Sequence, residues 1–253
     1  MITQEDLEYL GSKLSFIPKL TKEEMDIFLN QTSPVTFQKD TIIYNNSAEC
    51  LGVLIVKKGT LRAHMLSEQG KDITLYRLSD GDVCVLSASC VLKNITFDVN
   101  IQAESDTDAY LIKSCAFQKL MNQNIYVENF SYRTTIDRFS DVMWTMEQIL
   151  FMSFDKRLAV FLLDESLKQK KDMIPLTHAQ IAKYIGSARE VVSRMLKHFE
   201  EDGIVSLTRG GIEILDKKKL KCILLLHLLT YSFEKRARRN RTYLMKAEVL
   251  SLR

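Results

Sequence analysis

The chain has 253 residues, 46% hydrophobic and 26% charged, with 9 Gly, 3 Pro and 5 Cys. That composition excludes collagen-like and wholly disordered chains, and no apolar run approaches the ~20 residues of a membrane-spanning helix. The net charge of +3 hides an asymmetry: residues 217–253 hold 11 Lys/Arg against 2 Asp/Glu, so the rest of the chain is net acidic, a pattern that fits a nucleic-acid contact or a solvated tail.

In chain order, Leu7, Leu10 and Leu14 repeat at helical spacing, and Thr21 caps a second short helix ending near Leu29. From Val35 to Ile112 the character changes to short β-branched runs: TIIY (41–44), GVLIV (52–56), TLRAHML (60–66) and DITLYRL (72–78). Turn signals at Lys58-Gly59, Glu68-Gln69-Gly70 and Ser79-Asp80-Gly81 separate them, which predicts an antiparallel sandwich or roll. From Ser114 to Ser166 there is no Gly or Pro, and apolar residues fall at Phe130, Ile136, Phe139, Val142, Met143, Met146, Ile149 and Leu150. Such a stripe must bury against its own domain or a second copy, and we expect a long dimerisation helix.

A polar connection, LKQKKDM (167–173), leads to the most informative stretch, residues 174–215. Thr177 caps a helix over 178–185 with Ile181, Ala182 and Ile185 facing inward. Gly186 supplies a tight turn, and a second helix from Ala188 to Glu201 buries Val191, Val192, Met195, Leu196 and Phe199 before Gly203 ends it. The runs IVSL and IEIL flank Thr208-Arg209-Gly210-Gly211, a hairpin wing. Helix, turn, helix and wing is a DNA-reading arrangement. Beyond it lie an apolar run, CILLLHLLTYSF (222–233), too short to span a bilayer, and a basic cluster, EKRARRNR (234–241). That extension reads as a helix on the DNA-binding domain or on a partner subunit, or as a loosely held tail whose Arg and Lys touch phosphates.

On the second helix Glu190, Ser193, Arg194 and Lys197 share one face, with Arg189 at its N-terminal edge. Arginine binds guanine O6 and N7 with two hydrogen bonds, and a carboxylate accepts from cytosine N4. Thr177 and Ser187, at the cap and the turn, complete the expected DNA-binding set. The plainer alternative is an amphipathic helix with a Glu190–Arg194 ion pair four residues apart. No phosphate loop, H-E-x-x-H, G-x-S-x-G or C-x-x-C occurs, so we expect no enzyme. The acidic, polar N-terminus and an odd cysteine count favour a cytoplasmic protein with no membrane association.

The segment THAQIAKYIGSAREVVSRMLKHFEEDGIV resembles the helix-turn-helix of the Crp/Fnr family of bacterial transcription regulators. With the strand spacing, GTLRAHMLSEQGKDITLYRLSDGD and the helix before the motif, the resemblance spans about residues 10–220. It implies an α+β fold: a cyclic-nucleotide-binding-like antiparallel β-roll of jelly-roll type (1–125), a dimerisation helix (126–166), a winged helix-turn-helix (167–219) and a C-terminal extension (220–253). It further implies a homodimer on double-stranded DNA, reading a palindrome with TGA-like half-sites, with RNA polymerase as a further partner. Arg189, Glu190 and Arg194 match the base-contacting positions of the Crp branch, and Glu190, Ser193 and Arg194 match E-x-x-S-R of the Fnr branch. Arg189 then favours GTGA over TTGA.

The sensor is less defined. The family's cyclic-AMP pocket uses a Glu after the Gly-Asp turn and an Arg-Ser pair; here Leu86 and Phe97-Asp98 stand there, with Val142 and Met143 in place of two hydroxyls on the dimer helix. These cannot cradle a phosphate, which argues against cyclic AMP. The Fnr branch's N-terminal cysteines for an iron–sulfur cluster are absent, since the first cysteine is Cys50. Cys50, Cys84, Cys90 and Cys115 can hold a cluster only if they converge, and otherwise are core residues. A haem sensor of the family has a Cys after the same turn, where Cys84 and Cys90 lie, although its neighbouring His is missing. The expected effector pocket is therefore Cys84, Leu86, Cys90, Phe97, Val142, Met143 and Met146. Cys84 and Cys90 are the candidate metal ligands or redox thiols, and the effector itself is unassigned. A rival reading is a ligand- or metal-binding module whose helix-turn-helix is only structural.

Overall fold

The computed structural model describes residues 2–44, 51–68, 72–85 and 99–228, with no side-chain description for 225–228. It divides into two compact units, Met1–Thr145 and Met146–Arg253.

The first unit opens with α1 (Gln4–Lys13) and α2 (Lys22–Asn30), each started by a reciprocal capping box, Thr3 with Asp6 and Thr21 with Glu24. Among the described residues, eight strands follow: β1 (Thr32–Phe37), β2 (Ile42–Tyr44), β3 (Gly52–Lys58), β4 (Leu61–Leu66), β5 (Asp72–Leu78), β6 (Val83–Cys84), β7 (Asn100–Ala103) and β8 (Thr107–Lys113). They form two antiparallel sheets of order β1-β8-β3-β6 and β2-β7-β4-β5. Leu54, Val56, Leu61, Ala63, Leu78, Cys84, Ile101 and Ala103 share one buried core. The alternate residues of β3, Val53 and Ile55, pack in a second core with Leu10, Leu14, Phe28 and Phe117 from the helices. A strand buried on both faces reads as an unbroken apolar run, which is why GVLIV shows no alternation.

The stretch read as helical from Ser114 to Ser166 is three helices: α3 (Ser114–Gln123), α4 (Ile125–Phe151) and α5 (Phe154–Gln169). At Asn124 the side chain captures the Tyr126 amide (2.9 Å) and donates to Glu24 (2.9 Å) and the Lys19 carbonyl (3.2 Å). An Asn side chain that competes for backbone groups in this way breaks a helix without Gly or Pro. The second break comes at Ser153, which is extended (φ −63°, ψ 157°) and precedes α5. The expected single helix over 126–166 is thus divided between α4 and α5.

α4 has two distinct faces. Val127 and Ser131 are buried, Phe130 and Val142 pack on the roll, and the Thr145 hydroxyl donates to the Leu75 carbonyl at 2.8 Å. The other face leaves Tyr132, Ile136, Phe139, Met143, Met146 and Leu150 exposed.

In the second unit α5 is central. Its Leu158, Ala159, Leu162 and Leu163 form a core with α6 (His178–Ile185), α7 (Arg189–Glu201) and a three-stranded antiparallel sheet. That sheet has the order β10-β11-β9, from β9 (Met173–Ile174), β10 (Val205–Thr208) and β11 (Gly211–Ile214). The start of the C-terminal extension is α8 (Lys217–Leu228), packed on α5 with Leu220 and Leu224 buried. The remainder of the apolar run and the basic cluster at 234–241 lie outside the described residues. Among the described residues, no helix is long and apolar enough to cross a membrane.

Candidate nucleic-acid interface

The interface is built from the helix pair outward. At the start of α6 the Gln180 amide donates to Thr177 Oγ1 (3.2 Å) and the Thr177 amide donates to Gln180 Oε1 (2.8 Å). The Thr177 hydroxyl also donates to Gln180 Oε1 (2.9 Å), so the cap is closed on itself. At the other end Gly186 sits in the left-handed region (φ +63°), and the Ser187 amide donates back to the Ala182 carbonyl at 2.9 Å. Arg157 of α5 donates to the Ile185 carbonyl at 3.1 Å, tying the end of α6 to the core helix.

α7 follows α6 after three residues, 186–188. Val192, Leu196 and Phe199 are buried, whereas Arg189, Glu190, Arg194 and Lys197 are exposed. Among the described residues none of these four has a hydrogen bond or ion pair. In particular Glu190 and Arg194 do not pair with each other, so the two are available to an external partner. Ala188 precedes α7 without a side-chain cap, which leaves its first amides for an external acceptor such as a phosphate.

Ser193 differs from its neighbours. It is half-buried, and its Oγ lies 2.8 Å from Nδ1 of His178, the first residue of α6. Partial burial, and then the charge of Arg189, lower the His178 pKa below its usual value. Sequence reading missed His178, because a lone His fifteen residues before a Ser gives no periodic signal. Beyond α7 the wing turns at Arg209, which is exposed. Gly211 (φ +139°) crosses so close to β9 that a Cβ there would lie 2.1 Å from the Ile174 carbonyl oxygen.

Of the expected effector residues, Cys84, Val142, Met143 and Met146 lie among the described residues. Cys84 is fully buried between the sheets, in the same core that Val142 packs against. Met143 and Met146 lie on the exposed face of α4, each 45% accessible. Leu86, Cys90 and Phe97, like Cys50 and Asp98, lie outside the described residues. Cys115, at the start of α3, is exposed. Among the described residues no group of three or more His, Cys, Asp or Glu could hold a metal ion, so the described thiols offer no ligand set for a cluster.

A polar knot that the sequence did not announce lies beside Cys84. The Arg138 guanidinium sits 5.4 Å from the Tyr76 ring centre and pairs with Asp141 (2.9 Å) and Asp82 (3.4 Å). Burial, and then the proximity of Cys84, push the Tyr76 hydroxyl well above its usual pKa, and among the described residues that hydroxyl has no hydrogen-bond partner. Burial also raises the Asp141 carboxyl, against the pull of Arg138.

Comparisons agree with this layout. Residues 34–124 match the cyclic nucleotide-binding domain family, and residues 156–223 match the Crp-like helix-turn-helix domain family. The regulatory protein HlyX of Actinobacillus pleuropneumoniae is 23% identical over 202 residues, covering 76% of this chain and 80% of that protein. The fumarate and nitrate reduction regulatory protein of Vibrio cholerae is 22% identical over 209 residues, covering 78% and 80%. Among solved structures, a protein assigned to the Crp/Fnr transcriptional regulators from Eubacterium rectale is 41% identical, with a TM-score of 0.81, covering 84% of this chain and 98% of that one. FixK2 of Bradyrhizobium japonicum, at 20% identity and a TM-score of 0.60, shares the fold. The roll, the helix-turn-helix and these relatives together place the chain in the Crp/Fnr family of transcription regulators.

Proposed function

We propose that the chain acts as a homodimer that reads a palindromic DNA site with TGA-type half-sites and controls transcription in response to a signal other than cyclic AMP. The observation that carries this reading is the outer face of α7: beyond a capped, core-packed α6, Arg189, Glu190 and Arg194 stand exposed and, among the described residues, without side-chain partners. These side-chain types suit guanine and cytosine edges, and the first turn of a recognition helix is where base contacts concentrate. The homodimer is supported by the exposed stripe on α4, where positions 132, 136, 139, 143, 146 and 150 alternate steps of four and three. That spacing is a coiled-coil seam. RNA polymerase is the further partner that family membership suggests. The sequence at the family's nucleotide-gripping positions, Leu86 and Phe97-Asp98, supports an effector other than cyclic AMP. Selection of duplexes from a randomised library by the full chain tests the reading; a two-fold symmetric consensus is expected, and the absence of any consensus contradicts it.

A second reading of the sensor is favoured by relatives named as anaerobic regulatory proteins, from Haemophilus influenzae and Aggregatibacter actinomycetemcomitans. There the signal is oxygen or another small gas, with Cys84 and Cys90 as the residues to hold haem or iron. An absorption spectrum and iron analysis of anaerobically purified protein distinguish the two. Colourless, iron-free protein supports an organic effector, and a Soret band or stoichiometric iron supports the gas reading.

A further inference from the structure

Ser193 is the one expected base-reading side chain that another element holds. Its Oγ meets His178 Nδ1 at 2.8 Å, while among the described residues the side chains of Arg189, Glu190, Arg194 and Lys197 have no hydrogen bond. A serine hydroxyl has one proton and can read a base as donor or as acceptor. The contact with His178 removes that choice. Where Nδ1 carries its proton it donates to Oγ, and the Ser193 hydrogen is left to turn outward. Where Nδ1 is bare, Ser193 donates to it and presents lone pairs outward. Major-groove edges distinguish the two cases: cytosine N4 and adenine N6 donate, whereas guanine O6 and N7, adenine N7 and thymine O4 accept.

Resting on the reading of α7 as the recognition helix, we propose that His178 is a specificity-determining positioning residue. Through its bond to Ser193 it fixes that hydroxyl's orientation and proton, and thereby the base edge accepted opposite it. The ring is suited to this role because partial burial and the neighbouring Arg189 charge keep it neutral near pH 7, with one donor and one acceptor nitrogen.

The test uses the full chain and duplexes selected from a randomised library. Relative affinities for the four base pairs are measured at each half-site position for wild type, His178→Phe, His178→Asn, Ser193→Ala and the double variant His178→Phe/Ser193→Ala. Phenylalanine keeps a ring without the bond, asparagine restores a polar atom near the place of Nδ1, and His178→Ala replaces the phenylalanine variant should that fail to fold. The expected result is a loss of about tenfold in discrimination at the same single base pair for His178→Phe and for Ser193→Ala. Asparagine is expected to retain the wild-type profile, and the double variant to be no worse than either single. An unchanged profile in His178→Phe, an equal loss at every position, or additive losses in the double variant overturns the proposal. Wild type that selects no sequence overturns the recognition-helix reading itself, which separates the two failures.

Discussion

Single side chains divide here into those spent on the fold and those left for a partner. Arg189 and Arg194 belong to the second kind, since neither has a hydrogen-bond or ion-pair partner among the described residues. Replacing either with Ala should therefore leave the melting temperature almost unchanged and weaken binding to the selected site by about 10- to 100-fold. Asp6 is of the first kind. Its carboxylate accepts from the Tyr110 hydroxyl, the Thr3 amide and Lys57 Nζ (3.0 Å), and these bonds, led by Tyr110, hold its pKa well below the usual carboxylate value. A pKa depressed in the folded state gives stability that is present above the unfolded value, about 4, and is lost as pH falls through the folded one. The melting temperature should thus fall as the solution is acidified below about pH 4. Asp6→Asn should melt earlier at pH 7 and show a shallower acid dependence, both readable by circular dichroism. The exposed residues of the second kind were legible in sequence because exposure on an amphipathic helix follows its period. His178, Tyr76 and Arg138 were not, since each matters through a partner on another element.

Elements show what periodicity and turn chemistry can and cannot disclose. The two helices of the DNA-binding motif were legible to within a residue: capping by Thr177 and the turn at Gly186 are local signals, and both form as expected. The wing hairpin likewise follows its turn residues, pairing Thr208 with Gly211. The breaks at Asn124 and Ser153 were illegible, because neither Gly nor Pro marks them and the Asn124 break depends on Glu24 and Lys19, about a hundred residues earlier. The stripe on α4 was also read too coarsely. Phe130 and Val142 turn to the roll while Met143 and Met146 face outward, a distinction that requires knowing which side the roll covers. Glycine makes the turns testable. Gly186→Ala should destabilise the DNA-binding unit by about 1 kcal/mol, the usual cost of a left-handed residue with a Cβ. Gly211→Ala should cost about 2 kcal/mol or more, since its Cβ would meet the Ile174 carbonyl of β9. Urea denaturation of the full chain measures both.

At the scale of the whole molecule, one chain carries a β-roll, an apolar stripe exposed on α4 and a winged helix-turn-helix. If the seam joins two copies, an acidic residue in its middle should separate them: Phe139→Glu, at a position 64% exposed in the single chain, should sediment as monomer without loss of the fold. Binding to a palindrome should then weaken towards that of a single half-site. The basic and apolar extension is accounted for only through α8, where Leu220 and Leu224 join the core of the DNA-binding unit. The most direct test of the central claim is a fluorescence-anisotropy titration of the full chain against a TGA-type palindromic duplex and a scrambled duplex, at fixed salt. Alongside it the Arg189→Ala/Arg194→Ala variant is titrated against both. The account predicts that wild type prefers the palindrome by at least about a hundredfold and that the variant binds both duplexes equally. Equal binding of both duplexes by wild type, or a variant that keeps the preference, would contradict it.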